Sequence, residues 1–333
     1  MKPLEFVKPG SIQEASQLAR SNGASARLIA GGTDLLDEIK EGVVRPEKLI
    51  SLAGLPAMQG LDVGPSGLEL GAGMTLAELA SQPDIVRDYA ALAQAAESVA
   101  TPQIRNVATL GGNLCQRPRC WYYRSIGFPC RKKGGTTCFA ALGENKYHAI
   151  LGGSDCVIVH PSDIAVALIS LNASLTLTSA DTTRTVPVQD FFEGPDVDIT
   201  SENILVPGEI VTSVSVPAPP AGPLSDKSGS VYLKAKERQG MDFATSSVAV
   251  ALSVSGDVIS SARVTLGGVA PVPWRAAAAE SVLVGRNVAD INLQELGEAA
   301  VHRARPLQHN AYKIRLTAGL VGRAVETLLS DWR

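Results

Sequence analysis

Five cysteines, Cys115, Cys120, Cys130, Cys138 and Cys156, fall within residues 115–156, leaving the 114 residues before and the 177 after without any. So concentrated a set of soft sulfur donors is the chemistry of a thiolate-ligated metal, and tetrahedral sulfur suits either zinc or an iron–sulfur cluster. The last four are separated by nine, seven and 17 residues. That spacing matches neither the short C-x2-C zinc patterns nor the ferredoxin runs, so it leaves the metal open. Free cysteine is also a small core hydrophobe, which is the plain alternative. A few cysteines, odd in number, argue against a disulfide scaffold. Around them lie Arg117, Arg119, Arg124, Arg131, Lys132 and Lys133, with no Asp or Glu between Glu97 and Glu144, and Trp121, Tyr122, Tyr123 and Phe128 are interleaved. Such a stretch could offset the charge of a thiolate cluster, meet an acidic partner, stack on nucleic-acid bases, or form a solvated basic face.

A second chemistry sits in two glycine loops. In Leu28-Ile29-Ala30-Gly31-Gly32-Thr33-Asp34-Leu35-Leu36, two glycines stand between an apolar strand and a helix, where missing Cβ atoms let backbone N–H groups approach an anion. The glycines are adjacent rather than spaced G-x-G-x-x-G, and no G-K-[ST] follows, so this is neither a Rossmann fingerprint nor a P-loop. Taken alone, it also reads as a tight strand-to-helix turn. Ala108-Thr109-Leu110-Gly111-Gly112-Asn113-Leu114 repeats the pairing just before the cysteines, and two such loops can clamp a diphosphate between them. Pro161-Ser162-Asp163 offers a carboxylate for sugar hydroxyls or an ordinary helix cap. The histidines, His148, His160, His302 and His309, have no ligand spacing and read as structural or surface residues.

The elements that must position these loops follow from periodicity. Residues 11–21 and 34–41 have helical spacing around a strand at 26–30; strands are expected at 48–52 and 68–71, a capped helix at 75–81 and an alanine-rich helix at 85–100. Further on, a helix over 164–169 and paired strands at 173–178 and 185–188 are closed by Phe191 and Phe192. Residues 216–223, VPAPPAGP, and the polar 224–230 read as a linker. Beyond it come strands at 231–236, 247–255 and 260–267, and then alanine-rich helices.

Composition narrows the function classes. The 333 residues are 45% hydrophobic with a net charge of −3, enough for about two domains with real cores and no global field for nucleic acid or anionic lipid. The longest uncharged stretch, 164–180, is interrupted by polar residues, which argues against a membrane span. The start, MKPLEFVKPGS, has no signal-peptide h-region, so a cytoplasmic location is expected from this sequence alone.

Together, the AGGTDLL loop, the ATLGGNL loop, the HPSD turn at His160 to Asp163, the proline-rich boundary and the C-terminal strands and helices resemble the FAD-binding medium subunit of the molybdenum hydroxylases, the xanthine dehydrogenase and carbon monoxide dehydrogenase group. The cysteine window resembles that of a narrower branch, the flavin subunits of bacterial periplasmic aldehyde oxidoreductase, with the 4-hydroxybenzoyl-CoA reductase β subunit more distant. The resemblance implies an α+β fold. It places a two-subdomain FAD-binding domain of the vanillyl-alcohol oxidase or carbon monoxide dehydrogenase flavoprotein type in residues 1–222, with a 4Fe–4S insert at about 115–157. A C-terminal domain of a small antiparallel sheet plus helices follows in residues 223–333. It implies that Ala30, Gly31, Gly32, Thr33, Asp34, Leu35 and Leu36 wrap the FAD diphosphate from one side and Thr109, Gly111, Gly112 and Asn113 from the other. Asp163 would lie near the ribose or adenine, Leu205 and Lys234 near the flavin, and Cys120, Cys130, Cys138 and Cys156 on the cluster, with Cys115 a buried bystander. It further implies an oxidoreductase subunit that relays electrons from the 2Fe–2S centres of a small subunit to an external acceptor, while a large molybdopterin subunit oxidises the substrate. Export with a signal-bearing partner would place the complex in the periplasm. The contrasting expectation is a zinc-stabilised nucleic-acid or protein-binding module built on the basic aromatic window.

Overall fold

Short apolar segments alternating with helical ones build the first layer. The computed structural model, which describes residues 3–219, 227–330 and 332, pairs β1 (Glu5–Val7), β2 (Ala26–Ile29) and β3 (Lys48–Ser51) in parallel, in the order β1-β3-β2. Parallel neighbours need crossovers, and these carry helices α1 (Ile12–Asn22) and α2 (Leu35–Lys40). Ser11 caps α1 by accepting the Glu14 N–H, satisfying one of its free donors. The first glycine loop therefore occupies the turn from the end of β2 into α2.

The second layer is an antiparallel sheet of β4 (Leu61–Gly64), β5 (Gly67–Gly71), β6 (Ser174–Thr178), β7 (Thr183–Pro187) and β8 (Ile210–Pro217), in the order β4-β5-β8-β6-β7. Between β5 and β6 the chain makes α3 (Leu76–Ser81), α4 (Pro83–Asp88), α5 (Ala90–Ser98), α6 (Pro102–Arg105), α7 (Leu110–Leu114), α8 (Trp121–Arg124), α9 (Phe139–Leu142) and α10 (Asp163–Ser170). Thr75 and Glu78 form a reciprocal capping box at the start of α3. Residues 85–100, expected as one helix, are not one. The chain breaks at Tyr89 (φ −130°, ψ 49°), whose ring is buried in the core; burying an aromatic side chain outweighs the weak propensity of a continuous helix.

The third layer is the antiparallel sheet β9 (Lys227–Ala235), β10 (Ser246–Ser255), β11 (Val258–Gly267) and β12 (Trp274–Arg275), in the order β12-β11-β10-β9. Helices α11 (Ala277–Leu283), α12 (Leu293–Val301) and α13 (Tyr312–Ser330) complete it, with Val248, Val250, Val264 and Leu266 in one core with Val321, Ala324 and Val325. The linker expected over 216–230 is shorter than its composition suggests: Val216 and Pro217 end β8, and Lys227 to Ser230 already belong to β9. Residues 220–226 of it, including the expected boundary between 222 and 223, lie outside the described residues. Helix α10, buried along its whole length, packs against α5, β10 and β11 and so joins the second layer to the third. Among the described residues no helix is long and apolar enough to cross a membrane.

Candidate functional site

The two glycine loops meet. A Cβ on Gly31 would sit 1.9 Å from the carbonyl oxygen of Val107, so only glycine lets the first loop lie against the approach to the second. Gly32 has φ +71°, a conformation that favours glycine. Among the described residues none accepts a hydrogen bond from the backbone N–H groups of Gly32, Thr33 or Asp34, and successive free amides of this kind form a concavity suited to an anion. The Asp34 carboxylate is already engaged: it accepts from the Arg117 N–H at 2.7 Å, from Arg124 Nη2 at 2.6 Å and from Arg119. Leu35 and Leu36 begin α2.

The second loop is built differently. Thr109 caps α7, its Oγ1 accepting the Gly112 N–H at 3.2 Å, while the Gly111 N–H donates to Ala72 O and the Asn113 N–H to Thr109 O, both at 2.8 Å. Its amides are committed inside the chain. Its contribution is a small surface beside the first loop, where a Cβ on Gly112 would lie 3.9 Å from that of Ala30. Asn113 is buried and its Oδ1 accepts from Ser162 Oγ at 2.6 Å, fastening this loop to the third motif.

Ser162 caps α10 by accepting the Ala165 N–H at 3.0 Å, which frees the carboxylate of Asp163 for another task. Asp163 accepts from Lys234 Nζ at 2.7 Å and from the Tyr232 hydroxyl. Burial and the neighbouring Asp163 push the Tyr232 hydroxyl well above its ordinary pKa. Asp163 and Lys234 are thus brought together across two layers, both almost fully buried. Leu205 stands apart, half-buried at the edge of the main core.

Two adjoining cavities frame this site. The larger is lined by Ser162 and Asp163, by His148 and His160, by Arg119, Cys120 and Trp121, and by the 237–245 loop with Phe243. Neither glycine loop is part of that lining. The smaller has Cys120, Cys130, Cys138 and Cys156 in its wall, with His148 and Lys132 beside them. Cys120 and His148 line both. Among the described residues no three His, Cys, Asp or Glu side chains converge as they would on a single metal ion. Burial pushes the Cys120 thiol up to about 12 and the Cys156 thiol up to about 11, so in the absence of a metal both are neutral. Cys115 is half-buried against the main core, outside this cavity.

The basic window is not a solvated face. Buried Glu202 receives Arg117 at 2.5 Å and also Lys132; Arg119 and Arg124 converge on Asp34; Arg131 pairs with Asp155. Lys133 donates to the carbonyls of Tyr122, at 3.0 Å, and Ser125. A stretch with no acid of its own borrows carboxylates from distant segments, because a cation taken out of water needs a partner. Its rings also pack on one another: Tyr122 is edge-on to Phe128 at 5.0 Å and stacks on Phe139 at 6.1 Å.

His148 and His160, expected as structural or surface residues, are both buried, and nothing in the sequence singled out Glu202 or Lys313. His160 is buried, its Nδ1 accepting the Ser162 N–H at 3.3 Å, and burial with Lys132 and Arg119 nearby pushes its pKa down to about 3. Burial, with Lys313 nearby, pushes His148 down to about 4. Both rings are therefore neutral. Only the HPSD turn carried any signal for His160, and none pointed to the others.

Residues 2–219 match the family described as FAD binding domain in molybdopterin dehydrogenase, and residues 231–328 match the CO dehydrogenase flavoprotein C-terminal domain. The chain is 36% identical over 321 residues to the aldehyde oxidoreductase FAD-binding subunit PaoB of Escherichia coli K12, covering 95% of each chain. It is 29% identical to the carbon monoxide dehydrogenase medium chain of Hydrogenophaga pseudoflava, covering 96% of this chain and 95% of that one. A solved structure of carbon monoxide dehydrogenase from the same organism superposes with a TM-score of 0.76 at 28% identity, covering 98% of this chain and 96% of its counterpart.

Proposed function

Because the chain belongs to the FAD-binding subunits of the molybdenum hydroxylases, we propose that it is the flavin and iron–sulfur electron-transfer subunit of a complex that oxidises aldehydes. In this reading a large molybdopterin subunit binds the substrate, and a small subunit with 2Fe–2S centres delivers electrons that leave to an external acceptor. The observation that carries the proposal is the shared wall: four cysteines around one cavity, with Cys120 also facing the larger cavity beside Asp163. Bound FAD would supply the change between one-electron and two-electron transfer, and a 4Fe–4S cluster a further one-electron centre.

This chain's residues bind and position. The free amides of Gly32, Thr33 and Asp34 would hold the FAD diphosphate, with Ala30, Gly31, Leu35 and Leu36 shaping the turn. Thr109, Gly111, Gly112 and Asn113 would close the opposite side. Asp163, fixed by Lys234 and Tyr232, would accept hydrogen bonds from the ribose or adenine of the cofactor at the larger cavity, and Lys234 and Leu205 would lie towards the flavin. Cys120, Cys130, Cys138 and Cys156 would ligate the cluster. The rival reading, a zinc-stabilised nucleic-acid or protein-binding module, loses its basic surface to Asp34 and Glu202.

The test is reconstitution. The isolated chain is expected to hold FAD and to show negligible aldehyde turnover, with turnover appearing when the large and small subunits are added. Aldehyde oxidation by the isolated chain without molybdenum, at the rate of the full complex, would contradict the subunit role.

A further inference from the structure

His148 lies between the two cavities and belongs to neither the glycine loops nor the cysteine set. Its Nε2 is 3.2 Å from Cys120 Sγ, and its ring lies edge-on to Trp121 at 5.8 Å. The backbone that carries it is pinned from the third layer: Asn310 Nδ2 and Lys313 Nζ each donate to His148 O at 3.1 Å, and Lys313 also donates to Tyr147 O at 2.8 Å and Gly268 O at 2.7 Å. Buried Lys313, on α13, therefore fixes where the imidazole stands.

The direction of the hydrogen bond follows from the partners. Nδ1 of His148 is buried and makes no well-formed hydrogen bond, although the Asn145 backbone close to the ring favours its protonated form. A buried N–H left unpaired is the rarer and costlier orphan, a buried lone pair the milder one. A metal-bound thiolate can only accept, so the nitrogen facing it must carry a proton. A hydrogen bond to the Cys120 thiolate therefore requires the hydrogen on Nε2. The Cys120 sulfur, buried as it is, also takes hydrogen bonds from the backbone N–H groups of Tyr123 and Tyr122.

We propose that His148 is a positioning residue for the iron–sulfur centre: its Nε2–H donates to the Cys120 thiolate and raises the reduction potential of the cluster at the corner that faces the larger cavity. This rests on the cluster reading given above. An N–H···S bond draws electron density from sulfur and favours the reduced, more negative form.

The test is a dye-mediated redox titration of the holoprotein, followed by the EPR signal of the reduced cluster, in wild type, His148→Ala and His148→Gln, with iron and sulfide measured alongside. His148→Ala is expected to keep its iron and shift to a more negative potential, and His148→Gln, whose amide can donate, to recover part of that shift. An unchanged potential in iron-replete His148→Ala would overturn the proposal. If His148→Ala loses its cluster, wild type labelled with 15N-histidine decides: a 15N coupling to the reduced cluster is expected in HYSCORE spectra, and its absence overturns the proposal. A wild type without iron would instead overturn the cluster reading, and this inference with it.

Discussion

From Leu68 to Leu114, and again along α10, the chain fills its interior with Leu, Ile and Ala side chains in a single continuous core. Between Gln116 and Ala149 no residue joins any hydrophobic cluster, and the buried side chains there include charged Lys132 and polar Asn145. The glycine-loop half is held by packing, which is non-directional and tolerates repacking. The cysteine insert is held by directional contacts, Asp34 and Glu202 on its cations and Asn310 and Lys313 on its carbonyls, together with the small packed group of Tyr122, Phe128 and Phe139 rings. A loop organised in this way can place four thiols around a cavity without a core of its own, but each anchor is individually hard to replace.

The sharpest way to break this contrast is to remove a thiol. Cys120→Ser, Cys130→Ser, Cys138→Ser and Cys156→Ser are each expected to lose the iron–sulfur absorption and most of the iron, whereas Cys115→Ser keeps both. Loss of iron in Cys115→Ser together with retention in Cys120→Ser would reverse the ligand assignment.

Next in size is Glu202→Ala, which leaves Lys132 and Arg117 without their shared carboxylate. Stranding a buried cation costs about 3–5 kcal/mol, to be read as a lowered urea midpoint and early proteolysis within the insert. A midpoint unchanged from wild type would show that the insert does not depend on its ion pairs.

On the packed side, Gly31→Ala forces a methyl group onto the Val107 carbonyl. Overpacking of this kind costs about 1–3 kcal/mol, and FAD affinity, measured by flavin fluorescence, is expected to fall with it. FAD binding as tight as wild type would separate the loop from the cofactor.

The smallest effect is a pH slope. Burial pushes the Lys313 ammonium down to about 7, below its unfolded value near 10.5. The unfolded chain then binds more protons between those two values, so stability contributed through this group is lowest below pH 7 and rises with pH up to about 10. Urea denaturation at pH 7 and pH 9 is expected to show that rise in wild type and its loss in Lys313→Met.

What the sequence made legible was local. The strand, loop and helix around Gly31 and Gly32, the caps at Thr75 and Ser162, and the three long C-terminal strands follow from short-range patterning. Contacts remote in sequence left no such pattern. Arg119 and Asp34 are 85 residues apart and Lys234 and Asp163 are 71 apart; neither pair was foreseen, since the family resemblance named Asp163 and Lys234 separately, one near the ribose or adenine and the other near the flavin. Strand β8, central in its sheet, was overlooked because its end runs into prolines that read as linker. Tyr89 broke a helix for tertiary reasons, and His148 shows its role only once Cys120 is beside it.

The most direct measurement is the cofactor content of the protein purified without oxygen. One FAD per chain is predicted, together with iron and acid-labile sulfide in amounts equal to each other, all retained by the folded chain. Zinc near one per chain with neither iron nor sulfide, or a folded protein that takes up no FAD on reconstitution, would contradict it.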